Sequence, residues 1–200
     1  GGGEVYIQEI LEKARPYVQP EAIKNNPKEN LANALSVHVN LLSPFAIMHV
    51  KTFFEQKSDK EIAEKFSMLL YGEAPLEIRA QEILSWGKLA ARTDDPKKKS
   101  GIPPIALSYF LAMADPRKYP FCKPGVYEYT VKEFLGPEEI KKKPVERILH
   151  CQEVYLKLLE ILEDEFGLKD GNLLDVHSLC WTFSYMEKEP EEDVQYWTYA

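Results

Sequence analysis

Lysines 97, 98 and 99 lead into Gly101, two prolines at 103 and 104, and an apolar run ending in Asp115-Pro-Arg-Lys-Tyr-Pro120. These residue types in this order suit the capture of a phosphate. A glycine lets the backbone turn in conformations closed to other residues, and backbone N–H groups at a helix start can then approach an anion favoured by the helix dipole. On this reading Gly101, Ile102 and Ile105 mark a stretch that presents backbone donors, while Lys97, Lys98, Lys99, Arg117, Lys118 and Lys123 reach phosphates. Tyr119 and Tyr127 flank Lys118 and Lys123 in Pro-rich sequence, which marks them as exposed rings on which a base could stack.

Charge is distributed to match. The chain carries a net −7, which opposes indiscriminate binding to nucleic acid. Between Arg92 and Arg147, however, 12 lysines and arginines face 8 acids, a local net of +4 on an acidic body. The lysine runs 97–99 and 141–143 also fit ordinary solvated loops.

Other chemistries find few residues. Convergence of His38, His49, His150, His177, Cys122, Cys151 and Cys180 would be required for a metal, yet neither Cys-x-x-Cys nor His-Glu-x-x-His occurs. His177 and Cys180 alone are spaced to share a helix face. Buried thiols and a core histidine are expected, with no metal and no cofactor. Three widely spaced cysteines suit a reducing, cytoplasmic setting better than a disulfide framework. Nucleotide-binding glycine loops and the G-x-S-x-G elbow are absent as well.

The elements that must position these residues read as helices almost throughout. Apolar residues recur at helical spacing from Glu4 to Val18, ending at Pro16 to Pro20, and a second helix is expected over about 28–42. Ser43-Pro44 caps and opens a helix through Phe54, with Phe45, Met48, His49 and Phe53 spaced to share a face. Ser58-Asp-Lys-Glu61 is a capping box, with Ile62, Phe66, Leu69 and Leu70 directed inward and Gly72 as the stop. Further helices are expected from Pro75 to about Arg92, Ile105 to Ala114, Gly125 to Leu135, Pro144 to Phe166 and Asn172 to Met186. Apolar runs fall short of the roughly 20 residues of a membrane span.

The expected architecture is all-α, a compact multi-helix domain with a helix-hairpin-helix-like element. Gly1–Gly3 read as a remnant of cloning, residues 4–187 as one domain (4–70 N-terminal helices, 71–187 the hairpin-containing part), and 188–200 as a linker to a downstream domain.

Three stretches carry a resemblance. Leu76-Glu-Ile-Arg79, Ala114-Asp-Pro-Arg-Lys-Tyr119 and Asn172-Leu-Leu-Asp-Val-His-Ser-Leu-Cys-Trp181 resemble, in order, the region preceding the AAA+ GTPase module of McrB-like modification-dependent restriction proteins. The resemblance implies a non-catalytic, DNA-binding module that reads modified DNA, with a downstream AAA+ GTPase domain and a nuclease subunit as partners. An assembly domain of such a complex is the alternative. The Gly-started hairpin is also similar to helix-hairpin-helix DNA glycosylases, but Ile105 stands where their lysine would fall, and Lys123 or Pro124 where their aspartate would. A cation cannot stabilise a developing sugar cation, so glycosylase activity is not expected.

Overall fold

Ten α-helices and one very short β-ribbon make up the described part of the chain in a computed structural model, which covers residues 2–37, 41–91 and 99–186, with side chains described from Glu9 onward. The helices are α1 (Gly2–Val18), α2 (Pro20–Asn25), α3 (Pro27–Ser36), α4 (Pro44–Glu55), α5 (Asp59–Tyr71), α6 (Leu76–Trp86), α7 (Pro104–Ala114), α8 (Pro124–Phe134), α9 (Pro144–Phe166) and α10 (Leu173–Met186). Between α6 and α7, β1 (Ala90–Ala91) pairs antiparallel with β2 (Lys99–Ser100). The all-α expectation holds. Lys97, Lys98, His38 and the stretch 188–200 lie outside the described residues.

Proline starts most of these helices. It occupies the first turn of α2, α3, α4, α7, α8 and α9, where its fixed φ suits the helix and its missing N–H would have had no partner inside it. Serine caps act where they were expected. The Ser43 Oγ accepts from the Ala46 N–H at 3.2 Å, and the Ser58 Oγ from the Glu61 N–H at 3.2 Å. Only half of the capping box forms, because the Glu61 carboxylate accepts instead from the Trp86 indole N–H at 2.5 Å. At the other end of α9, Gly167 takes the left-handed conformation at φ 70° and closes the helix.

Packing centres on α7. Every residue from Ala106 to Ala114 is buried, and the helix touches α1, α4, α5, α6 and α9. A helix apolar on all sides is a core helix. Phe54, Phe66 and Phe110 pack edge to face or tilted at the α4–α5–α7 junction, and the Tyr109 hydroxyl donates to the Ala34 carbonyl of α3 at 2.8 Å. Ile62, Phe66, Leu69 and Leu70 all point inward.

α1 ends at Val18 as expected, and three other boundaries and faces depart from expectation. α3 stops at Ser36. α6 stops at Trp86, because Gly87 lies against Ile102: a side chain at Gly87 would meet the Ile102 side chain at 2.8 Å, and the Gly87 carbonyl accepts the Ile102 N–H at 2.7 Å. On α4 the buried residues are Ala46, Val50, Phe53 and Phe54, leaving Phe45 and Met48 exposed.

Gly101 carries φ 146°, and an added Cβ would lie 2.7 Å from the Leu89 Cα. Gly125, inside the first turn of α8, has open space around the same position. Gly101→Ala is therefore expected to lower stability by about 2–3 kcal/mol, while Gly125→Ala changes it little or raises it by about 0.5 kcal/mol. Thermal unfolding followed by far-UV circular dichroism checks both. Equal midpoints for the two variants would remove Gly101's structural role.

Candidate functional site

The starts of α7, α8 and α9 meet. Pro104 and Ile105 of α7, Cys122 and Pro124 at the start of α8, and Pro144, Arg147 and Ile148 of α9 line one pocket of about 170 Å³. The chain achieves this by doubling back: after α7 ends, residues 119–123 lead to the start of α8, and the Cys122 N–H donates to the buried Ser108 Oγ at 3.1 Å. Unlike α4 and α5, none of these three helices has a side-chain cap. Residues of their first turns line one pocket, with Lys123 and Lys143 as the residues immediately before α8 and α9.

Arg147 lines the pocket, and the lysines that precede α8 and α9 in sequence are in different states. Arg147 donates through Nε to the Lys141 carbonyl at 3.2 Å and pairs with Glu128 at 3.7 Å. Lys141 pairs with Glu139, and Lys143 with Glu146. Lys123 and Lys142 have no carboxylate partner among the described residues.

The residues expected to form the phosphate turn are otherwise engaged. The Gly101 N–H donates to the His49 carbonyl at 3.2 Å and the Ile102 N–H to the Gly87 carbonyl, while Pro103 and Pro104 have no N–H to offer. Of Gly101 to Ile105, only Pro104 and the half-buried Ile105 reach the pocket, and Ile102 is buried. The turn is therefore a structural closure and not a donor array. Lys99 is exposed on β2, which packs against α4 rather than beside the pocket.

Arg117, Lys118 and Tyr119 lie at the opposite end of α7, roughly 15 Å away along the helix axis. Arg117 is tied down, its Nε donating to the Gly171 carbonyl at 3.1 Å and its guanidinium pairing with Glu163 at 3.3 Å. Lys118 is exposed, its ammonium 5.1 Å from the Tyr119 ring centre. Asp115 caps locally through the Arg117 N–H at 3.2 Å, as an Asp-Pro helix stop does.

Both tyrosines expected to be exposed are buried. Tyr119 is 2% accessible and its hydroxyl accepts from Arg79 at 2.9 Å. Tyr127 is fully buried, and its hydroxyl accepts the Lys141 N–H at 2.9 Å and shares a hydrogen bond with His150 Nδ1 at 2.9 Å. Burial raises the Tyr127 pKa against the lowering effect of that N–H, and burial followed by Lys141 lowers that of His150. Neither ring can take a base in this state.

What the lysine pattern alone did not single out is the 141–143 run as part of a site. A usable signal was present, namely Lys-Pro immediately opening a helix twice, at 123–124 and 143–144. A second, larger groove of about 870 Å³ lies between α6 and the start of α9, with Ile78, Leu84 and Val145 among its apolar residues and Glu77, Lys88 and Lys143 among its charged ones. Among the described residues, no cluster of histidine, cysteine or carboxylate is arranged to hold a metal, and no helix is long and apolar enough to cross a membrane. No protein-family model, curated protein or solved structure matches the chain.

Beneath the pocket, His177 is buried, its Nδ1 3.3 Å from the Tyr155 hydroxyl and its ring edge-on to Phe121. Burial, assisted by Lys123, pushes its pKa down to about 3. The folded state therefore holds it neutral, and the unfolded chain, with an ordinary histidine, binds the proton first. Its stabilising contribution is complete above about pH 6.5 and is lost as pH falls towards 3, with a limiting slope of about 1.4 kcal/mol per pH unit. Urea unfolding between pH 7 and 4.5 should show a steeper loss for the wild type than for His177→Phe. Parallel profiles would show that His177 does not set the acid sensitivity.

Proposed function

We propose that this chain is a non-catalytic DNA-binding module that takes phosphates at the joint start of α7, α8 and α9, and that it serves as the recognition part of a McrB-like restriction complex. The observation that carries the reading is the convergence of three helix N-termini without side-chain caps, beside Lys123 and Lys142. Each helix end favours an anion by about 0.3–1 kcal/mol, so one alone would bind little, while three with adjacent lysines suit a charged polymer backbone. The resemblance of 76–79, 114–119 and 172–181 to the McrB-like region supplies the wider setting, with an AAA+ GTPase and a nuclease as partners and modified DNA as the target.

This module does no glycosidic chemistry. Ile105 occupies the hairpin lysine's place, and Asp115 is engaged in capping its own turn. Duplexes carrying damaged or methylated bases should acquire no abasic sites, and borohydride should trap no covalent product. Alkali-labile breaks above the buffer control would overturn this.

Fluorescence anisotropy with a labelled duplex across a salt series tests the binding itself. Lys123→Glu with Lys142→Glu is expected to weaken binding at least about tenfold and to lower the log–log salt slope by about two, one for each lost phosphate contact. Arg117→Ala should stay within about twofold of wild type, since Glu163 and Gly171 already hold that guanidinium. No binding at low salt, or an unchanged double variant, would favour the assembly reading. That second reading draws on α10, which exposes Leu179, Trp181, Phe183, Tyr185 and Met186 and stacks Trp181 on Tyr185 at 5.5 Å.

A further inference from the structure

The last two turns of α10 are apolar on the side that faces away from the core. Of residues 179–186 only Cys180 and Ser184 are buried, while Leu179, Trp181, Phe183, Tyr185 and Met186 are between 39% and 67% accessible. A helix apolar on every side belongs in a core, as α7 does. The described residues cover only one side of this one.

Chemistry narrows what can cover the other side. No lysine, arginine, aspartate or glutamate lies between Val176 and Met186, so a charged partner finds no counter-ion there. The hydroxyls are turned back on the helix itself, Thr182 donating to the Ser178 carbonyl at 2.9 Å and Ser184 to the Trp181 carbonyl at 2.8 Å. What is left is an arc of hydrocarbon and rings, which gains most by meeting a surface of its own kind.

Helix geometry divides that arc into two stripes. At about 100° per residue, Trp181 and Tyr185 share one flank and Leu179, Phe183 and Met186, spaced four and three, share the other, with the small Thr182 between them. Trp181 and Tyr185 are already stacked, with ring centres 5.5 Å apart. Both stripes are centred close to the level of Phe183, and this is the condition for self-pairing. In an antiparallel two-fold pair each flank lies beside the same flank of the other copy, so that Trp181 meets Tyr185, Leu179 meets Met186 and Phe183 meets its counterpart. Thr182 leaves the two helix axes room to approach.

We propose that the exposed end of α10 is a homodimer contact, covered by the same face of a second copy of this chain in antiparallel orientation. Area supports that occupant: with roughly half of five large side chains open, each copy offers on the order of 500 Å² of apolar surface, and the pair buries about 1,000 Å², the lower bound of a specific interface. Such a contact makes a reversible dimer. The assembly reading leaves the partner of α10 open, whereas this assigns it, and it holds whether or not the chain binds DNA.

Sedimentation velocity of the full chain over a concentration series is expected to show the mean mass rising from 23.0 kDa towards twice that value. Phe183→Glu should weaken the pairing at least about tenfold with helix content unchanged by circular dichroism. Phe45→Glu, which charges a still more exposed ring on α4, should leave pairing as it is. Orientation is read by cross-linking: Leu179→Cys mixed with Met186→Cys should give a disulfide-linked dimer on oxidation, and neither variant should do so alone, since the native cysteines are buried. Linkage of Leu179→Cys to itself would mean a parallel pair and overturn the arrangement. A mass of 23.0 kDa at every concentration would overturn the contact and assign the cover of α10 to another part of the chain or a different protein, and equal weakening by Phe45→Glu would overturn it in favour of unspecific apolar association. The wild-type series decides the first outcome even where a variant does not fold.

Discussion

A guanidinium with no carboxylate partner among the described residues holds the middle of this molecule together. Arg79 on α6 is 3% accessible, and its three nitrogens donate to the Leu69 carbonyl, to the Ala74 carbonyl at 2.6 Å and to the Tyr119 hydroxyl at 2.9 Å. Its acceptors include a carbonyl in the last turn of α5, the negative end of that helix, which suits a cation. A buried charge is costly unless its donors are satisfied, and the fork of arginine meets three acceptors that one lysine ammonium could not reach in the same plane. The turn between α5 and α6, where Gly72 leaves room for the arginine stem, is shaped around this contact. Through Tyr119 the same side chain anchors the segment that returns from the end of α7 to the start of α8. The helix convergence depends on that return path.

The second constraint is the apolar character of α7. A helix buried on every side offers only its ends to a partner, so the chain's chemistry is displaced from helix faces to helix termini. Its C-terminal end is occupied by the Asp115 turn, by Arg117 bridging to Glu163 and by the Leu173 N–H bonded to the Pro116 carbonyl. Its N-terminal end remains, joined by α8 and α9. Burial of Tyr119 follows from the same arrangement, since it belongs to the segment that returns from the end of α7, while Tyr127, on α8, is held at its hydroxyl by the Lys141 N–H and His150.

Local grammar made most elements legible in the sequence. Ser43, Ser58, Gly136 and Gly167, together with a proline opening each of six helices, mark boundaries through forces that act within one turn. The site was less legible because its determinants act across the chain. Tyr119 and Tyr127 sit among lysines and prolines, which resembles an exposed loop, yet their burial is decided by Arg79 and by His150, residues far from them in sequence. Gly101 looks like a phosphate-turn glycine, and the same missing Cβ serves close packing against Leu89 and Gly87. Periodicity also cannot tell which lysine run is solvated and which stands at a convergence, because the meeting of Pro104, Pro124 and Pro144 is created by the fold.

An acidic protein can still present an anion-binding point, and distance decides how. At physiological ionic strength the screening length is about 8 Å, so carboxylates elsewhere on a chain of net −7 act weakly on a phosphate at the pocket mouth. Nearby groups dominate there, and the proposed reading assigns that part to Lys123, Lys142 and the helix starts, with Glu139 and Glu146 already taken up by Lys141 and Lys143. On the proposed reading, the remaining acids act at longer range and oppose approach of DNA to other faces. A small positive point on a negative body would then bind weakly but in one orientation, as the proposed recognition role requires.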